Sequence, residues 1–295
     1  MLSPALVWPG LDAGAAAAGK RLPRRFKRAE KRALPRRDPV GLAAKAMGIE
    51  PPPAGALARL ADGLEAGQRD WFCAEPVMWV AGRDSLRMFK LDDARLDAGE
   101  ADALIKAARA HFGDRLLLER GASGRWYAAL EGVHAVRTEP VDTALGQAIT
   151  PQSLEEGPDA GRLRAFLNEL QMLWHEHPVN EARRNAGQPV ANALWLWGCG
   201  RLPAKPSLDD APRLRADEPL VRALAQWLGL ECRPLEDTST TRSMSDLLVV
   251  VGPGDDARGE AWLGAFASFR GAWRLFVADC EWRLPVRRGG FFRRA

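Results

Sequence analysis

The sequence has few cysteines, and their spacing does not suit zinc binding or redox chemistry. The four lie far apart without any CxxC pair, so we expect reduced, mostly buried thiols. They are Cys73, Cys199, Cys232 and Cys280. No apolar run approaches the roughly 18 residues that a membrane-spanning helix needs. Met1 to Gly19 also has no positive charge ahead of its apolar part, unlike a secretory signal. These absences predict a cytoplasmic protein without a membrane span.

The net charge of +4 hides an uneven distribution along the chain. Lys20 to Arg37, which we call the basic segment, contains ten lysines or arginines and one acid, a local charge of +9. It is the feature that points to nucleic acid or an anionic membrane surface as a partner. No zinc-finger, RRM-like or helix-turn-helix pattern accompanies it. The near-helical spacing of its apolar residues favours a solvated face of one or two short helices.

Residues 63–150 show two hairpin patterns and one helix pattern. The hairpins are predicted at Val77 to Val80 with Leu86 to Leu91, and at Arg115 to Glu119 with Arg125 to Leu130. The helix is predicted over Ala98 to Phe112, with Asp97 as its N-cap. Strand pairs with a packed helix predict an inserted α+β subdomain over 63–150.

Strand and helix patterns alternate beyond Gly187. Strands are predicted at Ala193 to Trp197, Leu247 to Val251 and Trp273 to Val277, and helices at Pro219 to Leu228 and Gly259 to Phe269. Such alternation indicates a mostly parallel sheet with helices packed on it. With a short strand in Leu2 to Leu11, it predicts an α/β fold whose discontinuous core comprises residues 1–62 and 151–295.

A long composite pattern runs from His175 to Gly200. It reads His-Glu-His-Pro-Val-Asn-Glu-Ala-Arg-Arg, then Gly187 and Pro189, then Ala-Asn-Ala-Leu-Trp-Leu-Trp-Gly-Cys-Gly. The pattern resembles the Asn-x-x-Arg, Gly, Ala-Asn-x-x-Trp-Leu-Trp-Gly-x-Gly stretch of the archaeal-type cofactor-independent phosphoglycerate mutases. The layout around it is similar to the bacterial RpfE-type regulatory proteins. Because the mutases belong to the alkaline phosphatase superfamily, the resemblance implies a parallel-sheet core of that type with an inserted subdomain.

The resemblance also implies a reaction, and this chain departs from its requirements. In that family an activated serine takes up the phosphoryl group while paired metals, held by Asp and His, stabilise the oxyanions. The chain has four histidines, and none follows His177. Its opening reads Pro9-Gly10-Leu11-Asp12 where the family begins its metal site with Asp-Gly. We therefore expect no metal, no cofactor and no catalysis by the family mechanism.

Six residues of the pattern form the predicted substrate-binding site. They are Asn180, Arg183, Asn192, Trp197, Gly198 and Gly200. Asn180 and Arg183 lie three apart, on one helical face. The glycines follow a strand, where an open parallel sheet binds ligands and where backbone N–H groups can approach an anion. On this hypothesis, Arg183→Ala weakens anion binding and leaves the melting temperature nearly unchanged. The alternative is local, with Arg183 paired to Glu176 or Glu181 and Asn180 acting as a cap.

Two pairs of residues have a structural and a functional interpretation. His175 and His177 are two apart on a predicted helix and face different directions, which favours packing over a metal site. Trp195 and Trp197 alternate with leucines on a predicted buried strand, which favours core packing over a ligand platform.

Three functional hypotheses follow from the sequence. The first is a non-catalytic relative of the phosphoglycerate mutases with a binding or regulatory role and a pocket for a small anionic ligand. The second is a metal-independent enzyme acting on a small phosphorylated or carboxylated metabolite. The third is an adaptor that binds nucleic acid or an anionic surface through the basic segment. Fold-level analogy does not choose among them.

Overall fold

The computed structural model of the chain describes residues 4–9, 11, 28–34, 38–81, 86–91, 96–141, 156–208, 211–236, 244, 246–277 and 280–286. The α-helices in this part of the chain are α1 Pro39–Met47, α2 Ala54–Ala61, α3 Ala98–Phe112, α4 Ala160–His175, α5 Pro178–Asn185, α6 Pro219–Leu228 and α7 Asp256–Ser268. Its strands are β1 Ala5–Val7, β2 Glu30–Ala33, β3 Trp71–Ala81, β4 Leu86–Lys90, β5 Leu116–Arg120, β6 Trp126–Leu130, β7 Ala193–Gly200, β8 Arg213–Ala216, β9 Cys232–Arg233, β10 Leu247–Val250, β11 Trp273–Val277 and β12 Cys280–Leu284. Over the described residues, every helix is too short or too polar to cross a membrane.

The chain divides into two compact units. We call Met1–Pro51 together with Ala204–Ala295 the terminal unit, and Pro52–Pro203 the inserted unit. The insertion predicted from the sequence, residues 63–150, is narrower than the inserted unit on both sides. On the C-terminal side the difference arises because β7, which lies beyond residue 150, pairs with β3 and so belongs to the inserted unit.

The terminal unit contains a seven-stranded sheet in the order β2-β12-β11-β1-β10-β8-β9. The strands from β11 to β9 in this order are parallel neighbours, and β12 and β2 add antiparallel pairs at one edge. Strand β10 reads Leu-Leu-Val-Val and is buried throughout, as expected for a parallel strand covered on both faces. The predicted α/β fold with a mostly parallel sheet is confirmed.

Helix α7 packs against one face of this sheet. Leu6, Val249 and Leu275, from three neighbouring strands, form a buried cluster with Trp262 and Phe266 of α7. Burying such side chains stabilises the fold by roughly 1.5–3 kcal/mol each. The alternate residues of β1 and β10 are buried as well, so both faces of the sheet centre are covered.

Strand β3 is the centre of the sheet in the inserted unit. Cys73 pairs with Tyr127 of β6 at one edge and with Trp197 of β7 at the other. Further along β3, β4 takes the place of β6, and β5 pairs with β6 on its far side. All these pairings are antiparallel. Both predicted strand pairs are therefore confirmed, while the assignment of Ala193 to Trp197 to the parallel sheet is wrong.

Helix α3 forms where the sequence predicts it, and its start shows why. The Asp97 carboxylate accepts a hydrogen bond from the Glu100 N–H at 2.9 Å, and the Glu100 carboxylate accepts one from the Asp97 N–H at 3.1 Å. This reciprocal capping box satisfies donors that the first turn cannot pair internally. Gly113 follows the last residue with a φ of 57°, in the region that favours glycine.

Part of the basic segment forms a strand, which corrects the predicted helix over those residues. β2 pairs antiparallel with β12, and the Lys31 ammonium lies 5.3 Å from the centre of the Trp282 ring. The strand is favoured because it extends the sheet edge and places Lys31 over an aromatic face. Within the basic segment, only residues 28–34 lie in the described part of the chain.

Candidate functional site

Asn180 is fully buried, and its amide bonds to the backbone on both sides. Its Nδ2 donates to the carbonyl oxygens of Trp174 at 2.7 Å and Ala191 at 2.8 Å. Its Oδ1 accepts from the Ala191 N–H at 2.9 Å. A buried amide is costly unless it is hydrogen-bonded, and these bonds satisfy it while tying α5 to the end of α4 and to the approach to β7.

Arg183 is also buried, with 4% of its surface exposed. Its Nη1 donates to the Glu100 carboxylate at 2.5 Å, and its Nε donates to the Pro189 carbonyl at 2.6 Å. Because Glu100 also belongs to the capping box of α3, its carboxylate joins the start of α3 to α5. Glu100 lies 83 residues away in the sequence, so the local alternative did not include it.

Asn192 and Trp197 form hydrogen bonds to residues of strand β3, and Trp195 forms one to the Glu139 backbone. The Asn192 amide both accepts from the Trp79 N–H at 2.8 Å and donates to the Trp79 carbonyl at 3.0 Å. It thereby adds one step to the β3–β7 ladder. The Trp195 indole N–H donates to the Glu139 carbonyl at 2.9 Å, and the Trp197 indole N–H donates to the Glu75 carboxylate at 3.2 Å. Both rings pack into one cluster, which agrees with the core-packing interpretation.

The two motif glycines lie against the start of helix α2. A Cβ on Gly198 would lie 2.7 Å from the Ala54 Cβ, and one on Gly200 would lie 2.6 Å from the Pro53 Cγ. Both have positive φ, 68° and 141°. The absence of side chains here lets α2 approach β7 closely. Packing against α2, rather than access for a ligand, accounts for these glycines.

The predicted binding site rested on a geometric premise that the structure contradicts. β7 runs antiparallel to β3 in the inserted unit, so its end is not the carboxyl edge of an open parallel sheet. Asn180 and Arg183 lie beneath the surface, bonded within the unit. Asn180 and Arg183 therefore belong to the buried framework of the inserted unit, and anion binding by the residues of the pattern stays a prediction.

His175 and His177 have separate positions. His175 is the last residue of α4 and is exposed. His177 is the N-cap of α5, where its Nδ1 accepts a hydrogen bond from the Val179 N–H at 3.2 Å. Burial lowers the pKa of His177. Both facts favour the neutral ring, because protonation would remove the acceptor that caps the helix.

Replacing His177 by asparagine should reduce the loss of stability on acidification. Because the pKa of His177 is lower in the folded chain than its unfolded value of about 6.5, its contribution is fully present above that value. It is lost as the pH falls through the folded pKa. Asparagine also caps helices and does not titrate. Thermal melts at neutral and mildly acidic pH should show a smaller decrease for the variant, and equal decreases would contradict this assignment.

A group of carboxylates lies at the carboxyl ends of the parallel strands of the terminal unit. Asp217 follows β8, Glu236 follows β9 and Asp255 follows β10. The Arg258 guanidinium, in the first turn of α7, donates to all three at 2.8, 3.0 and 3.0 Å. We call these four residues the Arg258 cluster. Sequence reasoning did not find it, because Asp217 and Glu236 are far in the sequence from Asp255 and Arg258 at the start of α7.

Two more carboxylates of this edge are engaged by the protein itself. Asp256 accepts from the Trp8 indole N–H at 3.1 Å, just after β1. Glu218 caps α6 by accepting from the Val221 N–H at 2.7 Å. Ligands of open α/β sheets bind outside the carboxyl ends of the strands. At this edge the described side chains present negative charge, which disfavours a phosphoryl group.

The described residues do not fit the paired metals that the family resemblance implies. Across the described ranges, no group of three or more His, Cys, Asp or Glu side chains is arranged to hold a metal ion. The three carboxylates of the Arg258 cluster are bonded to a guanidinium, the charge that a cation would otherwise supply. Histidine ligands after residue 177 are absent from this chain.

The inserted unit has a cleft of about 940 Å³ between α3, the turn Gly113–Arg115 and the β5–β6 hairpin. Asp70 and His134 lie on its wall, joined by a 2.8 Å contact between the carboxylate and Nδ1. The other oxygen of Asp70 lies 3.5 Å from Nε of Arg201. The Asp70 side chain is 11% exposed, whereas that of His134 is 60% exposed. The cleft thus contains a histidine that is held by a carboxylate and whose ring is exposed to solvent.

Cys199, the cysteine of the motif, lies next to this wall but is not a reactive thiol. Its Sγ is 3.6 Å from the His134 carbonyl oxygen. Burial, assisted by the nearby charge of Asp70, raises the pKa of Cys199 to about 12. The thiolate, which is the nucleophile, is therefore scarce at neutral pH.

Comparison of the chain with known proteins identifies similar mutases over part of its length. A probable 2,3-bisphosphoglycerate-independent phosphoglycerate mutase of Geobacter sulfurreducens is 29% identical over 154 residues, 50% of this chain and 38% of that protein. The corresponding mutase of Methanothrix thermoacetophila is 40% identical over 76 residues, 26% of this chain and 19% of that protein. Mutase 1 of Archaeoglobus fulgidus is 30% identical over 138 residues, 44% of this chain and 34% of that protein. No family model matches the chain.

Two solved structures align with nearly the whole chain at low similarity. The cofactor-independent phosphoglycerate mutase of Thermoplasma acidophilum aligns with 97% of this chain and 90% of its own, at 16% identity and a TM-score of 0.43. A protein of Pyrococcus horikoshii aligns with 97% and 89%, at 15% identity and a TM-score of 0.46. The sequence matches, which span less than two fifths of each relative, establish a phosphoglycerate mutase-like relationship.

Proposed function

We propose that this chain is a phosphoglycerate mutase-like protein that acts by binding, in a regulatory role, and not by phosphoryl transfer. The RpfE-type regulatory proteins, which its sequence resembles, are the branch to which we assign it. The observation that carries the proposal is the Arg258 cluster. A guanidinium bound to Asp217, Glu236 and Asp255 occupies the edge of the sheet where a reaction centre would be expected.

The chemistry of the cluster supports a non-catalytic role. Phosphoryl transfer needs positive charge directed at the equatorial oxygens of the group that moves. In the Arg258 cluster the positive charge is directed at carboxylates of the protein. A phosphoryl group at this edge would also meet the Asp256 and Glu218 side chains. The cluster therefore joins the segments that follow three strands to the start of α7.

The purified protein should neither interconvert 2- and 3-phosphoglycerate above background nor retain manganese or zinc through gel filtration. The reason is that the carboxylates of the Arg258 cluster are already paired and the chain has no histidine after residue 177. A coupled assay with added manganese, run beside the Archaeoglobus fulgidus mutase as a positive control, measures the interconversion of the phosphoglycerates. Elemental analysis after gel filtration measures the retained metal. Close to two equivalents of retained metal, or turnover that depends on it, would overturn the proposal.

A metal-independent enzyme is the second candidate, and the His134–Asp70 pair is the observation that favours it. A histidine held by a carboxylate at Nδ1 can exchange a proton through Nε2. The same assays distinguish the two candidates. Turnover of a phosphate ester that persists with a chelator, and is lost in His134→Asn, would favour the enzyme.

The adaptor hypothesis rests on the basic segment, and it stays a prediction. Of its cations, Lys31 lies over the Trp282 ring in the sheet of the terminal unit. No other described feature points to nucleic acid or to a membrane surface.

A further inference from the structure

We infer that the cleft of the inserted unit binds a small polyanion, a ligand whose charge comes from a phosphoryl group or from several carboxylates. The cleft is a different place from the Arg258 cluster, so the inference does not depend on the proposed function. Its volume of about 940 Å³ lies within the usual range for small-molecule sites. Four cationic side chains line it: Arg69, Lys106, Arg109 and Arg201.

Three of these cations are available for a ligand. Lys106 and Arg109 lie three residues apart on α3 and therefore on the same face, and both are exposed. Arg69 is exposed on the segment before β3. Within the described residues, none of the three forms an ion pair. Cations gathered around one concavity without internal partners attract an anion more strongly than isolated surface charges do.

The fourth cation, Arg201, and His134 share the carboxylate of Asp70. Because Asp70 is nearly buried and contacts both groups, its negative charge is compensated within the protein. With Nδ1 of His134 directed to Asp70, Nε2 is the ring nitrogen left for a ligand. The pair thus adds an oriented polar group to the cationic wall.

Two acidic residues define which anions suit the cleft. Asp114 and Glu131 also line it. They would repel a long, uniformly charged polyanion such as a nucleic acid backbone, which cannot avoid them. A compact ligand with concentrated charge can lie against Lys106, Arg109 and Arg69 instead. The cleft therefore favours a small phosphorylated or polycarboxylated molecule.

The test compares single substitutions that each remove one positive charge. Inorganic phosphate and citrate are titrated separately into the full chain at low salt, with calorimetry for affinity and NMR of the His134 ring for location. We expect saturable binding of at least one probe. Tighter binding of phosphate would identify a phosphoryl group as the source of the ligand's charge, and tighter binding of citrate would identify carboxylates. Lys106→Gln and Arg109→Gln should each weaken it by roughly tenfold, because each removes a charge-assisted hydrogen bond.

The matched control is Arg87→Gln, an exposed arginine of β4 outside the cleft, which should leave affinity unchanged. Thermal melts verify that all three variants fold. Equal weakening in the control, unchanged affinity in both cleft variants, or no saturable binding of either probe at millimolar concentration would each overturn the inference. Saturable binding that leaves the NMR signals of the His134 ring unchanged would also overturn the inference, because the anion would then lie elsewhere. None of these results depends on the phosphoglycerate assay.

Discussion

Replacing Arg183 by alanine should lower the free energy of unfolding of the inserted unit by roughly 3–5 kcal/mol, because the change leaves the Glu100 carboxylate without its buried partner. The Pro189 carbonyl loses a donor at the same time. For a unit of this size the loss corresponds to a decrease of roughly 10 °C in melting temperature. This reverses the expectation drawn from the sequence, in which the melting temperature was nearly unchanged.

Arg184 supplies the control for this prediction. It is the next residue on the same helix and it is exposed. Among the described residues, its guanidinium forms one hydrogen bond, to the His175 carbonyl at 3.1 Å. Arg184→Ala should therefore cost less than about 1 kcal/mol. Thermal and urea unfolding of both variants makes the comparison. Similar stability of the two would show that the buried ion pair does not hold α3 to α5.

A double substitution separates the charge from the packing. Arg183→Ala with Glu100→Gln removes both charges, leaves the volume of the arginine empty and leaves an amide that can still cap α3. The double variant should recover a substantial part of the stability lost in Arg183→Ala, because no unpaired carboxylate remains beside the vacated arginine position. A double variant as unstable as the single one would indicate that the loss comes from the empty volume instead.

Replacing Gly55 by alanine should destabilise the inserted unit by about 3 kcal/mol or more through overpacking. The sign is opposite to the usual gain of about 0.5–1 kcal/mol for glycine to alanine within a helix. A Cβ on Gly55 would lie 2.2 Å from the carbonyl oxygen of Trp71 and 2.8 Å from the carbonyl carbon of Phe72. These are backbone atoms of β3, so they cannot move aside without disturbing the central strand.

Gly161→Ala is the matched substitution. Gly161 is the second residue of α4, as Gly55 is of α2, and a Cβ there would meet no heavy atom within 4 Å. It should be neutral or slightly stabilising. Unfolding curves of the two variants under identical conditions measure the contrast. If Gly55→Ala were as stable as Gly161→Ala, the close approach of α2 to β3 would be incorrect.

Local patterns predicted most of the strands and several of the helices. Asp97 is the N-cap of α3, as predicted, and Pro219–Leu228 and Trp273–Val277 have the bounds read from the sequence. Such features depend on residues within one or two turns of one another. The sheet to which a strand belongs is not determined by neighbouring residues in this way. The apolar run at Ala193 fits a parallel strand as well as an antiparallel one, so its assignment failed.

The candidate sites were much harder to predict. The six motif residues were chosen as a binding site because a carboxamide, a guanidinium and glycines are also what an anion pocket contains. In the structure, Asn180 bonds to Ala191 and Arg183 bonds to Glu100. The Arg258 cluster and the cleft were not anticipated. Their members are scattered over elements that only the folded chain brings together.

The sequence by itself determined the α/β class, several helices with the Asp97 cap of α3, both strand pairs and the likeness to phosphoglycerate mutases. Those properties depend on periodicity, on neighbouring residues and on an uninterrupted pattern. Only the tertiary structure decided what the polar residues of that pattern do. A buried Asn or Arg must satisfy its hydrogen bonds, and whether the partner is a ligand or the protein depends on residues far away in the chain. For Arg183 that partner is Glu100, 83 residues earlier, and its contact exists only once α3 and α5 have packed together.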